Sequence, residues 1–434
     1  MTLLAEYSFD EGTGTTTADL TGNGYTLTTS GSGWVSDGYD STHSGKADFS
    51  GVAGPNVLQQ SWTVMAWMKR DGILTTPYAA ILSNNSSFYF ELHRSGDSIE
   101  CYAGTSGFPS SGTNIIPINT WVHTAVTRKT DGTCTIFVDG EPIASGVGNA
   151  MNFGQGTWFV GGANNPNYVL SGSVDTLRLF DEALTSEEIR SWRATPAGKT
   201  PPTLLAAYAF NEAPGAVSVK DHSGNDLTAT AVGVSFTDGP LVNTRAVTFT
   251  GSSQGIYIPR TGTEPSSIGF TAMAWGKGPV DMGYLVKPRG GNSTRSAVGP
   301  NWRVRWKDDL HYTDDYSGVD DSQWHHYCVI DSDEQWAILI DGVYYAGGSR
   351  AADPNSPASW EDFPWCIGNT LGTGLGESKP GQMIADVRIF QGNMHSSAQV
   401  RYWMNTPVSP KGRLFKTGTA PRKLKLGQTE KFFK

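Results

Sequence analysis

Residues 3–12 read LLAEYSFDEG, and residues 204–213 read LLAAYAFNEA. That recurrence decides the fold, because further segments repeat behind it in the same order. ADLTGNGYTLT (18–28) returns as KDHSGNDLTAT (220–230), and WTVMAWMK (62–69) as FTAMAWGK (270–277). WVHTAV (121–126) returns as WHHYCV (324–329), and CTIFVDG (134–140) as WAILIDG (336–342). VDTLRLF (174–180) returns as IADVRIF (384–390), and EEIRSWRATP (187–196) as AQVRYWMNTP (398–407). A period of about 200 residues is far too long for a solenoid unit, so each copy is a whole domain. The sequence therefore predicts domains over 1–196 and 204–407, a short, stiff Pro-rich linker over 197–203, and a tail over 408–434.

Within each copy the repeated segments read as strands. SFYFEL, TIFVDG and AILIDG are short runs of aromatic and β-branched residues that end at turns. Asp139-Gly140 and Asp341-Gly342 each separate two such runs, which is the signature of a tight hairpin. One helix per copy is legible from its start signal. Thr185-x-x-Glu188 is a capping box with Leu184 and Ile189 as staple, and Ser396-x-x-Gln399 repeats it with Val400. Many short strands and one small helix predict an all-β fold: two tandem antiparallel β-sandwiches of jelly-roll type, each with a short C-terminal helix, followed by an extended tail.

Composition agrees with this reading. Only 17% of residues are charged, while Gly (52) and Trp (14) are abundant. The net charge is −9, yet the tail KGRLFKTGTAPRKLKLGQTEKFFK (411–434) holds eight Lys or Arg against Glu430, leaving about −16 on the body. An acidic body argues against broad nucleic-acid binding, which needs a basic face. No apolar run is long enough to span a membrane. The opening MTLLAEYSFDEG alternates like a strand, so no signal peptide is expected. Cys101, Cys134, Cys328 and Cys366 do not occupy matching positions in the two copies, which predicts buried free thiols rather than a repeated disulfide framework.

The opening YSFDEG…DLTGNG, the central W-x-H-x-x-V…FVDG and the closing VDTLRLFDEALTSEEI resemble the laminin-G-like, concanavalin A-like jelly-roll family. The resemblance covers residues 3–196 closely and 204–407 more loosely, since the second copy lacks the DEALT wording. It implies the jelly-roll fold. That fold serves lectins, glycan-binding appendages, adhesion modules and virion proteins alike. The resemblance also implies that Asp19 and Asn23 approach Asp175, and in some relatives such loops hold calcium, for which carboxylate and carbonyl oxygens are the fitting ligands. The alternative reading is an Asx-turn built by Asp19 and Asn23 around Gly22 and Gly24. In the second copy Asp221 and Asn225 keep the loop, but Ala385 replaces the strand aspartate. Its neighbour Asp386 would face the other way on a strand.

Other residues invite chemistry. KDDLHYTDDYSGVDDS (307–322) joins three Asp pairs to Tyr312 and Tyr316, as a cation or sugar loop or simply as a solvated acidic loop. Trp302, Trp306 and Trp360 do not recur between copies and are candidates for a ligand platform; the recurring Trp67/Trp275, Trp121/Trp324, Trp158/Trp365 and Trp192/Trp403 are expected in the core. His123 and His326 recur without a nucleophile beside them, so both are expected to be satisfied structural histidines. The E-x-D-x-E of glucanases on this fold, which sets acid and nucleophile on one strand face, does not occur, nor do G-x-S-x-G or H-E-x-x-H. No enzyme is expected, and no cofactor beyond calcium.

The expected function is a non-catalytic virion component, a decoration, fibre or tail-associated protein that is similar to phage-encoded proteins of this fold. It would be assembled in the host cytoplasm, display two lectin-like domains to glycans or a host surface, and insert into no membrane. A free-standing extracellular carbohydrate-binding protein is the alternative, and a glycan-degrading enzyme the lesser one. The tail belongs to neither copy and is expected to dock on other virion proteins. Leu424 and Leu426 alternate with Lys423 and Lys425 as in an added strand. Phe415, Phe432 and Phe433 would fill pockets while Arg413, Lys416 and Arg422 meet an acidic surface.

Overall fold

The computed structural model describes residues 1–30, 33–35, 38–40, 46–48, 58–59, 61–72, 78–84, 88–93, 98–103, 110–111, 115–147, 151–152, 158–163, 166–241, 244–251, 254–259, 269–278, 286–288, 303–306, 309–312, 323–331, 335–349, 365–368, 380–406 and 408. The chain divides into two compact units, Met1–Thr200 and Pro201–Lys434. Both are antiparallel β-sandwiches.

In the first unit the larger sheet runs in the order Glu141–Val147, Thr133–Val138, Val122–Arg128, Trp62–Arg70, Gly172–Phe180, Gly38–Asp40 and Gly33–Val35, with Leu3–Tyr7 also paired to Gly172–Phe180. The opposing sheet runs Ser98–Ala103, Phe88–His93, Tyr78–Asn84, Trp158–Val160, Lys46–Asp48, Leu27–Ser30 and Thr16–Thr17. Between the sheets lies the core. Trp62, Val64, Ala66 and Met68 alternate into it from one side, and Phe88, Phe90, Leu92, Ile99 and Cys101 from the other. Met65 and Ala125 face the opposite way, under a lid formed by Leu184, Ile189 and Trp192 of helix α1 (Ser186–Arg193) and its approach. Covering both faces explains why WTVMAWMK reads as a continuous apolar run rather than an alternating one.

The second unit repeats this order. Val343–Ser349, Gln335–Ile340, His325–Asp331, Phe270–Lys277, Met383–Gln391, Arg245–Thr248 and Ser235–Asp238 form the larger sheet, with Thr203–Tyr208 on Met383–Gln391. Helix α2 (Ser397–Met404) covers Met273, Cys328 and Leu339 through Val400 and Trp403. Its opposing sheet is Ser218–Val219, Ala229–Val232, Gly255–Tyr257, Trp365–Ile367 and Val286–Pro288, and Arg303–Trp306 pairs with Asp309–Tyr312 as a separate hairpin.

Local signals are realised closely. Thr185 accepts from the Glu188 amide while the Glu188 carboxylate accepts from the Thr185 amide, a complete capping box. Ser396 accepts from Gln399 N, whereas Gln399 Oε1 reaches the His395 amide one residue earlier. Asp139 and Gly140 (φ 52° and 82°) and Asp341 and Gly342 (φ 50° and 71°) turn both hairpins through left-handed conformations. The four cysteines are free and buried. The tryptophans divide differently from expectation. Trp158, Trp365, Trp192 and Trp403 are buried, but Trp67, Trp275, Trp121 and Trp324 are only half-buried.

Candidate functional site

The two D-x-x-G-N loops are built alike. Asp19 Oδ1 accepts from the amides of Glu6 (3.2 Å) and Thr21 (3.1 Å), and Oδ2 from the Tyr25 amide at 3.4 Å. The Thr21 hydroxyl adds a bond to each oxygen at 2.8 Å. Asp221 does the same for Ala207, Ser223 and Leu227. Asn23 and Asn225 donate their side-chain amides back to the first strand, at Leu4 O and at Leu204 O and Leu205 O. Each loop is thus an aspartate-centred turn that fastens the loop to its first strand. Asp175 lies opposite Trp67 on the central strand pair. Its Oδ1 accepts from Thr176 Oγ1 at 3.0 Å, and burial, reinforced by the Asp10 charge, pushes its carboxyl up to about 6. Among the described residues, no group of three or more His, Cys, Asp and Glu is arranged to hold a metal ion.

Beside Asp175 the outer face of the first unit carries a polar row. Trp67 meets His123 edge-on at 5.4 Å, Arg193 lies over the Trp67 ring at 5.1 Å, and Arg193 Nη2 pairs with Asp139 Oδ1 at 3.1 Å. In the second unit Trp275 and His326 keep the same contact at 5.4 Å, but Met404 stands in place of Arg193 and Ala385 in place of Asp175. Both histidines are buried, and burial pulls both below the ordinary imidazole range, His326 to about 3. They are structural but not satisfied: among the described residues neither ring nitrogen of either has a hydrogen-bond partner.

On the opposing sheet of the first unit, the face turned from the core holds a pair that sequence reasoning missed. Glu91 and Glu100 are direct cross-strand partners. Their strand neighbours Phe90, Leu92, Ile99 and Cys101 point into the core, so both carboxylates point away from it. Glu91 is 5% exposed, and burial, with Glu100 opposite, pushes its carboxyl up to about 8. Tyr78 stacks on Tyr168 at 4.9 Å and 11°, both half-buried. Only the strand register brings the glutamates together, since nine positions separate them in the chain.

Of the remaining candidates, Trp306 and Tyr312 lie on the paired strands Arg303–Trp306 and Asp309–Tyr312. Trp302, Tyr316, Trp360 and the tail residues Arg413 to Phe433 lie outside the described residues. No helix among the described residues is long and apolar enough to cross a membrane.

Residues 40–190 match a laminin-G-type family model described as the concanavalin A-like lectin/glucanases superfamily. No curated protein matches the chain. Among solved structures, domain 4 of AbnA, an extracellular GH43 arabinanase from Geobacillus stearothermophilus in complex with arabinotriose, aligns at 18% identity with TM-score 0.35, over 46% of this chain and 98% of that one. Trypanosoma rangeli sialidase in complex with 2,3-difluorosialic acid aligns at 11% identity and TM-score 0.35, over 70% of this chain and 60% of that one. The CBM40 of Ruminococcus gnavus IT-sialidase, bound to α2,3-sialyllactose, aligns at 15% identity and TM-score 0.26, over 31% and 82%. Scores this low carry no functional weight. The fold is compatible with binding and with catalysis alike.

Proposed function

We propose that this protein is a non-catalytic recognition protein whose β-sandwich units bind glycans. The match of residues 40–190 to a lectin/glucanase superfamily carries this reading. In this reading the opposed pair Glu91 and Glu100 is not a glycosidase acid and nucleophile. A glycosidase acid must touch the leaving oxygen, and the member with the raised pKa, Glu91, is sealed at 5% exposure. Sugar rings stack on aromatic faces, and the Tyr78–Tyr168 pair and the tryptophans Trp302, Trp306 and Trp360 are the residues we propose for that task. Calcium at Asp19, Asn23 and Asp175, and at Asp221 and Asn225, remains part of the proposal. It would have to compete with the turn bonds those side chains already make.

In its finer form the protein is a virion accessory protein held to its partner by the tail. Support comes from the charge contrast between a strongly basic tail and an acidic body. A glycan array probed with the full chain and with Trp306→Ala, Trp360→Ala and Tyr168→Ala tests the recognition role. Loss of signal in at least one variant is expected, whereas reducing ends released from a polysaccharide by the wild type would replace binding with catalysis. Absence of the protein from purified particles would remove the virion form alone.

A further inference from the structure

Glu91 and Glu100 oppose each other across neighbouring antiparallel strands, on the same face. Two carboxylates placed directly opposite repel when both are ionised, so the pair is relieved by a proton or by a cation between them. Glu100 Oε1 already accepts from the Ser110 hydroxyl at 2.9 Å, and Ser110 is exposed, which leaves an open side next to Glu100. Glu91 is different. It is 95% withdrawn from solvent, and its Oε2 is fully buried without a hydrogen-bond donor among the described residues. A buried carboxyl oxygen with no donor loses its solvation, and the group meets that cost by holding a proton or by binding a cation. Neither lysine nor arginine pairs with it among the described residues, although buried charges elsewhere in the fold are paired, as at Glu6 with Arg178.

We infer that Glu91 and Glu100 form a binding site for a hard divalent cation of the calcium class, held between the two carboxylates and completed by the Ser110 hydroxyl and water from the open side. Oxygen-only donors select a hard cation over zinc or copper. The burial of Glu91 selects an atomic ion over an ammonium group carried by a larger molecule, which could not reach a carboxylate that is 5% exposed. Two protein carboxylates are a sparse ligand set, so the dissociation constant falls in the range of weak extracellular sites, about 10⁻⁴–10⁻³ M. The site is separate from the aspartate turns at Asp19 and Asp221. Because the cation bridges adjacent strands, its binding stabilises the edge of the sheet.

The test is calorimetric unfolding of the full chain, stripped with chelator and then titrated with calcium chloride or magnesium chloride. In wild type, millimolar calcium is expected to raise the transition temperature of the first unit by about 3–6 °C. Glu91→Gln and Glu100→Gln are each expected to abolish the rise, and Glu91→Gln to raise the metal-free transition temperature. Asp19→Asn is expected to leave the calcium response in place. No response of the wild type to either cation, with Glu91→Gln still stabilising, would show that the pair holds only a shared proton and overturn the site. A response that survives both glutamine variants and disappears in Asp19→Asn would overturn it as well, by moving the cation to the loop.

Discussion

The guanidinium of Arg178 lies 2.6 Å from the carboxylate of Glu6, 172 positions away in the chain, with both side chains buried. The same guanidinium donates to Trp192 O and Thr195 O at 2.8 Å, satisfying carbonyls at the end of α1, and lies over the Trp192 ring. The second carboxylate oxygen of Glu6 accepts the Gly198 amide at 3.0 Å. The second unit keeps the clamp and moves its anion. Arg388 holds Trp403 O and Thr406 O, but Ala207 stands where Glu6 would, and the partner is Asp386 on the arginine's own strand. Asp386 occupies the left-handed bulge position (φ 49°) that Thr176 occupies (φ 45°) in the first unit.

That relocation predicts a rescue. Glu6→Ala strands a buried arginine and is expected to destabilise the first unit by about 3–5 kcal/mol. Adding Thr176→Asp recreates the second unit's arrangement and should recover a substantial part of the loss. Urea titrations of both variants check this, and a double variant no more stable than Glu6→Ala would show that the two clamps are not equivalent.

His326 imposes an acid sensitivity on the second unit. Its imidazole titrates near 3 when folded because burial disfavours the cation, with the Arg388 charge adding to the effect. Unfolded, it titrates near 6.5. The unfolded state therefore binds the proton first. Its contribution is fully present above about pH 6.5 and falls by about 1.4 kcal/mol per pH unit as pH drops toward 3. His326→Phe keeps a ring against Trp275 and should flatten the fall in stability between pH 6 and pH 4 by about one proton's worth. An unchanged pH slope would contradict this assignment.

Both hairpins depend on glycine twice over. Gly140 and Gly342 have φ of 82° and 71°, and a Cβ at either would collide with the side chain of the helix arginine above it, Arg190 or Arg401. Alanine at either position is expected to cost about 1–3 kcal/mol from backbone strain alone. The loss should be similar at the two sites when followed by thermal unfolding, because the geometry is the same.

The four thiols offer a probe of opening. Cys101, Cys134, Cys328 and Cys366 are all at most 1% exposed, and burial raises the thiol pKa of Cys101 and Cys328. Reaction with a thiol reagent should therefore track unfolding in urea for all four. Rapid modification of any of them in native buffer would mean that its sheet opens locally.

Much of the architecture is written in local chemistry. The Asp-Gly turns and the capping box at Thr185 depend on neighbours in the chain, and the structure realises both signals, as it does the buried free thiols expected from the mismatched cysteine positions. Tertiary structure alone decided the partners. Nothing near Arg178 in sequence names Glu6, and nothing near Glu91 names Glu100. Those pairings follow from strand register and from which strands become neighbours, quantities set by the packing of the whole sandwich. Burial was non-local for the same reason: Trp192 of the helix packs into the core against Phe180, whereas Trp67 on the sheet's outer face is only half-buried.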